Sequence, residues 1–143
     1  MARELAATRQ RTQREVADLN DALAAYRSAA DLLRDPTTRV VTLRGVGSSP
    51  RATGRVIWNQ AAGGWLFVAN LPSVPQGKAY VLWMNGSGSP RPAGVFRVDA
   101  DGRATHHVAP GEGAEPIEAF AVTLEPERDV SAPTGPRVLA SGK

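Results

Sequence analysis

Cysteine is absent from this sequence, which removes disulfides, thiolate metal sites and thiol nucleophiles together. That absence fits any redox compartment. Long apolar runs are missing too: nothing approaches the ~20 residues that a membrane-spanning helix needs. Residues 2–20 interleave charges with small side chains, where a secretion signal would carry a continuous apolar core. The balance is basic, at +3 overall, but it comes without a cluster. Residues 1–35 hold six arginines and six acids and are neutral, so the excess is spread thinly over the remainder. A diffuse excess of this kind is not a nucleic-acid footprint, and no nucleic-acid partner is expected.

Glycine and proline are absent from residues 1–35, and Ala, Arg, Glu, Leu and Gln dominate there. These residue types predict one long helix, ended at Asp35-Pro36 because the residue before proline avoids the helical region. Val16, Leu19, Leu23, Tyr26, Ala30 and Leu33 step by three and four in turn, the a/d pattern of a coiled-coil seam. The same register continues upstream onto Thr12, Arg9 and Leu5, so the seam weakens toward the N-terminus. A helix of about 33 residues is about 50 Å long, whereas a domain of about 100 residues has a radius of gyration near 13 Å. The helix should therefore outreach the body that follows. Two readings stay open: the stripe packs on that body, or it meets a second copy and makes a homodimer. The chain divides into residues 1–37, an amphipathic helix, and residues 38–143.

From residue 39 the texture changes. Eight apolar runs, RVVTLRG, GRVIWN, GWLFVAN, KAYVLWMN, AGVFRVD, RATHHVA, EAFAVTLEP and PRVLA, alternate with Gly-, Pro- and Asp-rich breakers. About eight short strands at near-regular spacing predict a mainly β fold, an antiparallel β-sandwich behind one N-terminal helix. Asp99-Ala100-Asp101-Gly102 between two runs reads as a hairpin turn. In EAFAVTLEP, Phe120, Val122 and Leu124 alternate with Ala121, Thr123 and Glu125, the pattern of a half-buried strand.

Candidate chemistry is sparse. His106 and His107 are adjacent on a strand and point to opposite faces, so they do not readily share a metal; one should be at the surface and one half-buried. Asp99 to Gly102 lacks the later oxygen ligands of a calcium loop. Ser87 lies in a Gly-Ser run with no strand-to-helix elbow and no helix behind it, which fits neither a serine nucleophile nor a phosphate loop. Glu125 sits at a strand end before Pro126 and near a Thr-Gly turn, where a carboxylate can accept bonds from turn N–H groups and pin a long connection. One glutamate without a second acid or base is not a hydrolase pair. Trp58, Trp65, Trp83, Phe67, Phe96 and Phe120 all fall in strand runs and are expected in the core. Displayed together on an exposed face they would instead make a ligand platform, for cell-wall glycan for example.

The order of motifs adds to this reading. Leu71-Pro72 is followed by Gly77-Lys78-x-Tyr80-x-Leu82-Trp83, Ala93-Gly94-x-Phe96, Asp101-Gly102, Phe120-Ala121-Val122-Thr123-x-Glu125-Pro126 and Pro133-Thr134-Gly135-Pro136. That succession, over about residues 38–140, resembles the C-terminal domain of the anti-sigma-K-factor family. The match departs from the family after Glu125-Pro126, where Glu127-Arg128-Asp129-Val130 replaces a Gly-rich turn. The resemblance implies a regulator without enzymatic activity or cofactor. It implies a cytoplasmic sigma-binding domain and a membrane anchor, neither contained in this sequence, with the helix just after the membrane and the β-domain outside. It also implies release of the sigma factor by sequential proteolysis, through a site-1 type protease and an intramembrane protease.

Overall fold

The computed structural model describes residues 2–86, 88–110, 116–127 and 132–141, with side chains from Ala7 onward. Ser87, Arg128, Asp129 and Val130 lie outside the described residues, as does the side chain of Leu5. One helix, α1 (Ala2–Leu32), precedes eight strands: β1 (Arg39–Gly45), β2 (Thr53–Asn59), β3 (Gly63–Ala69), β4 (Lys78–Asn85), β5 (Arg91–Phe96), β6 (Ala104–Val108), β7 (Ala119–Pro126) and β8 (Arg137–Ser141). Every apolar run of the sequence becomes a strand. The helix stops short of Asp35, because its last turn tightens: the amides of Arg34 and Asp35 donate three residues back, to Asp31 and Leu32, at 3.2 and 3.0 Å.

All eight strands belong to one antiparallel sheet in the order β5-β4-β7-β8-β1-β2-β3-β6. The sheet wraps until its two end strands face each other, giving a nearly closed, barrel-like sandwich. The Asp99–Gly102 turn forms as the sequence predicts, with Asp99 Oδ1 accepting from the amides of Asp101 and Arg103 at 2.9 Å each. Its neighbours do not pair as a hairpin, however. β5 pairs with β4 and β6 with β3, so the turn spans the closure instead. There His106 Nε2 lies 3.2 Å from the carbonyl of Ala93. The imidazole occupies the space over Gly94, where a Cβ would come within 1.9 Å of Nε2 and where φ is +136°. Gly94 is thus required twice over, by its backbone and by its neighbour.

The main core gathers Leu43, Val56, Trp58, Leu66, Tyr80, Leu82, Phe120, Val122 and Leu139, all nearly inaccessible. Trp58 and Phe120 meet edge to face at 5.5 Å, and Tyr80 stacks on Phe96 at 5.7 Å. The alternation of β7 is misleading. Ala121, Thr123 and Glu125 are buried as well as Phe120 and Val122, so this strand is covered on both faces. The same holds for β4, where Ala79, Val81 and Trp83 are buried opposite Tyr80, Leu82 and Met84. Trp83 is fully buried but lies on the face of β4 away from the main core. Two further aromatics depart from the expected core. Trp65 and Phe67 are half-buried on the other side of β3, Trp65 edge-on to His107 at 5.0 Å.

The helix rests on that side. Ala25 and Ala29 are buried against the sheet, in contacts shared by β2, β3 and β6, and Tyr26 stacks on Phe67 with ring centres 4.9 Å apart. The heptad stripe expected to choose between the body and a second copy does not pack on the body, apart from this one ring. Removing the fully buried Trp83 side chain leaves a void, so Trp83→Ala should cost about 3–5 kcal/mol. Urea melts check this, and a loss below about 1 kcal/mol would show that the second face is loosely held.

Candidate functional site

The residues singled out by sequence separate into three groups in space. Tyr80, Phe96 and Phe120 are core packing, with the Tyr80 hydroxyl donating to the Pro72 carbonyl at 2.7 Å, which fastens the Leu71-Pro72 loop to β4. Burial pushes the Tyr80 phenol above its ordinary pKa. Gly94 belongs to the closure. Trp83, Glu125, Thr134 and Gly135 come together, with Pro126 beside them at the end of β7, across from Lys78.

That third group is a relay of hydrogen bonds. β4 and β7 pair so that Trp83 sits across from Ala121, two residues from Thr123 on the same face. Trp83 Nε1 donates to Thr123 Oγ1 at 2.7 Å, and Thr123 Oγ1 donates to Glu125 Oε2 at 2.5 Å. Glu125 is fully buried. Its carboxylate also accepts from the Thr134 hydroxyl at 2.5 Å, from the Thr134 amide at 3.1 Å and from the Gly135 amide at 3.0 Å. Gly135 is held so close to β7 that a Cβ would come within 1.7 Å of the Leu124 carbonyl oxygen, so no larger residue fits without backbone movement. The sequence marks Thr123 only as a strand and motif residue, although a signal for its pairing with Glu125 was there: residues two apart on a strand share a face, and Thr123 precedes Glu125 by two.

Desolvation raises the pKa of the Glu125 carboxyl, but the hydrogen bonds from Thr123, Thr134 and Gly135 outweigh it and hold the group below its ordinary 4.5. Every acceptor position thus faces a donor to the charged form. The group is spent on holding the connection between β7 and β8, and among the described residues no second acid or base hydrogen-bonds to it. Among the described residues, no group of three or more His, Asp or Glu side chains is placed to hold a metal ion. His106 is half-buried and His107 exposed.

A second polar cluster joins helix to sheet. Asp35 Oδ1 accepts from the Thr37 amide at 2.9 Å and from the Thr37 hydroxyl at 2.7 Å. Asp35 Oδ2 accepts from Asn59 Nδ2 at 3.0 Å. Asn59, almost completely buried, also donates to Thr38 Oγ1 and accepts from the amides of Ala61 and Ala62, each at 3.0 Å. The Thr37 amide is the first cause, and the Thr37 hydroxyl and Asn59 the next, that hold Asp35 below its ordinary 3.8. This joint was not legible in sequence, since Asn59 reads as one more strand-end residue.

The family model for the C-terminal domain of the anti-sigma-K factor rskA matches residues 2–137. The chain belongs to that family. Neither the curated proteins nor the solved structures yield a match. The family match takes in the helix as well as the β-domain, and so reaches further toward the N-terminus than the strand motifs alone. In this anti-sigma factor domain, the family pattern Phe-Ala-Val-Thr-x-Glu-Pro together with Pro-Thr-Gly-Pro has a physical content: it supplies both halves of the Glu125 clip.

Glu125→Gln keeps the shape but turns two acceptor oxygens into one, with an amide N–H₂ facing amide donors. It should cost about 3 kcal/mol near neutral pH, as for unsatisfied buried groups in one network. The sign of the pH effect follows from the lowered pKa. Unfolded chains take up the proton first, so the stabilisation is complete above 4.5 and is lost as pH falls below it through the lower folded-state value. Urea midpoints measured from pH 6 down to pH 3 should therefore fall steeply in the unmodified chain and less steeply in Glu125→Gln. Parallel slopes would show that Glu125 does not govern the acid limb.

Proposed function

We propose that this chain is the extracytoplasmic regulatory part of a membrane-anchored anti-sigma factor, and that it acts without catalysis. Family membership over residues 2–137 is the observation that carries the reading. In this scheme a segment outside this sequence holds the sigma factor away from RNA polymerase, and a membrane anchor, also outside it, precedes the helix. Among the described residues, no helix is long and apolar enough to cross a membrane. The β-domain then presents a rigid body outside the membrane, and α1 stands between that body and the anchor. A signal acting on the body alters access to the segment near the membrane, a site-1 type protease cuts there, an intramembrane protease follows, and the sigma factor is freed.

Two features favour this role over that of a ligand-binding module. Five of the seven strand aromatics, Trp58, Tyr80, Trp83, Phe96 and Phe120, are buried, and the remaining two lie on the side the helix rests on. The most elaborate polar arrangement is internal and holds chain segments together. The isolated chain, residues 1–143, should show no measurable binding to a sigma factor in calorimetry, while the intact regulator binds it. Submicromolar binding by the isolated chain would overturn the assignment of that activity to another segment. In cells, replacing residues 38–143 of the regulator with an unrelated folded domain should leave sigma-dependent transcription unresponsive to the inducing stress; an unchanged response would remove the sensory role.

A further inference from the structure

The helix carries two separate apolar faces. One, made of Ala22, Ala25, Ala29 and Leu32, is buried or half-buried on the sheet. The other is the stripe of Val16, Leu19, Leu23, Tyr26, Ala30 and Leu33. Its large members are exposed to 49, 69, 47, 58 and 52% at Val16, Leu19, Leu23, Tyr26 and Leu33. At 3.6 residues per turn the two faces point roughly 110° apart, so covering one leaves the other free apart from Tyr26, whose ring stacks on Phe67.

The two faces also divide the helix along its length. Residues 7–21 are all exposed. Residues 7–21 therefore carry an apolar stripe that the body does not cover. A water-exposed helical stretch of that length is marginal unless something packs on it. Whatever covers the stripe must reach Val16 and Leu19 in that exposed stretch as well as Leu23 to Leu33 beside the sheet, which calls for a long straight element. The spacing names the kind: alternating steps of three and four give a 3.5-residue repeat, which stays in register with a second helix rather than with a flat sheet.

We infer that the occupant is the same helix of a second copy, parallel and in register. With Val16, Leu23 and Ala30 at a positions and Leu19, Tyr26 and Leu33 at d, the flanking pairs across a parallel dimer are Glu15 with Asn20, Ala22 with Arg27 and Ala29 with Arg34. None of these sets like charges together, so over residues 15–34 the flanks admit a second copy at no electrostatic cost; Arg9, the next a position upstream, would face its own copy, which confines the seam to residues 16–33. The body of each copy lies on the side of its helix that carries Ala22 and Ala29, and the two-fold axis puts the two bodies on opposite sides of the pair. A lipid surface is a poorer occupant: over residues 16–33, Asp18, Asp21 and Asp31 stand against Arg27 alone, opposite to the basic face of interfacial helices. The pairing stands on the helix alone and requires nothing of the regulatory reading.

The absence of cysteine makes the test clean. Sedimentation equilibrium of the unmodified chain should give twice the mass of one chain. Leu19→Asp and Leu23→Asp should each return the single-chain mass, while the thermal transition of the β-domain, followed by near-ultraviolet circular dichroism, persists. Leu19→Cys should cross-link to a covalent dimer under mild oxidation, because d positions face each other in a parallel pair within reach of a disulfide. Asp21→Cys, on the outward face, should not. A single-chain mass at high concentration, or a double mass that survives both aspartates, overturns the pairing. A double mass without cross-linking of Leu19→Cys overturns the parallel register, since in an antiparallel pair Leu19 would face Ala30.

Discussion

A fully buried, charged carboxylate is the constraint around which the β-domain is arranged. Taking Glu125 out of water is costly unless every lone pair finds a donor. The chain supplies four: the hydroxyls of Thr123 and Thr134 and the amides of Thr134 and Gly135. Two of these are backbone groups entering β8, so the charge can be satisfied only if that segment lies against β7. β8 is the strand that joins β7 on one side to β1 on the other. Without it the order β5-β4-β7-β8-β1-β2-β3-β6 breaks into two pieces. One side chain therefore links a local turn to the continuity of the whole sheet. Trp83 extends the link to β4 through Thr123.

This arrangement explains where the sequence was legible and where it was not. Strands were legible because apolar runs and breakers are local: all eight runs became strands. Pairing was not, because it depends on distant segments. The Asp99–Gly102 turn formed, yet β5 and β6 went to opposite ends of the sheet, since each had a longer partner in β4 or β3. The half-buried pattern of β7 failed for a similar reason. Thr123 and Glu125 look like solvent-facing residues by their polarity, but a polar residue whose bonds are fully met inside the protein leaves no trace in an apolar–polar alternation. The motif around Glu125 and Thr134-Gly135 did mark the clip, because a carboxylate near a Thr-Gly turn has few other uses for its lone pairs.

The helix shows the opposite limit. Its length and its 3-4 spacing were plain in the sequence, but the face that packs on the body was not the most apolar one. Ala25 and Ala29 dock because small side chains let the helix backbone approach a sheet surface that already carries large rings, Trp65 and Phe67. Leucines at those positions would hold it away. A stripe counted by hydrophobicity alone points to the exposed side, since the packing face is chosen by the shape of its partner.

These contacts limit how a change in the body can reach the helix. Three connections exist among the described residues: the Ala25 and Ala29 face, the Tyr26–Phe67 stack, and the cluster of Asp35, Thr37, Thr38 and Asn59. They all converge on β2, β3 and β6 or on the chain entering β1. The Glu125 clip is remote from them in the sheet, with β8 and β1 between β7 and β2. The clip is linked to the helix through β8 and β1, and β1 begins at Arg39, only four residues after Asp35. Arg39 crosses back the other way, its guanidinium donating to the carbonyl of Ile117 just ahead of β7. The strand that leaves the helix is thereby tied both to β8, which Thr134 and Gly135 lead into, and to the segment leading into β7. The chain leaving the helix is held at Asp35 and Asn59, where Asp35 Oδ1 and Asn59 Oδ1 each accept two bonds. Together with the Ala25 and Ala29 contacts, this cluster fixes where the helix meets the sheet.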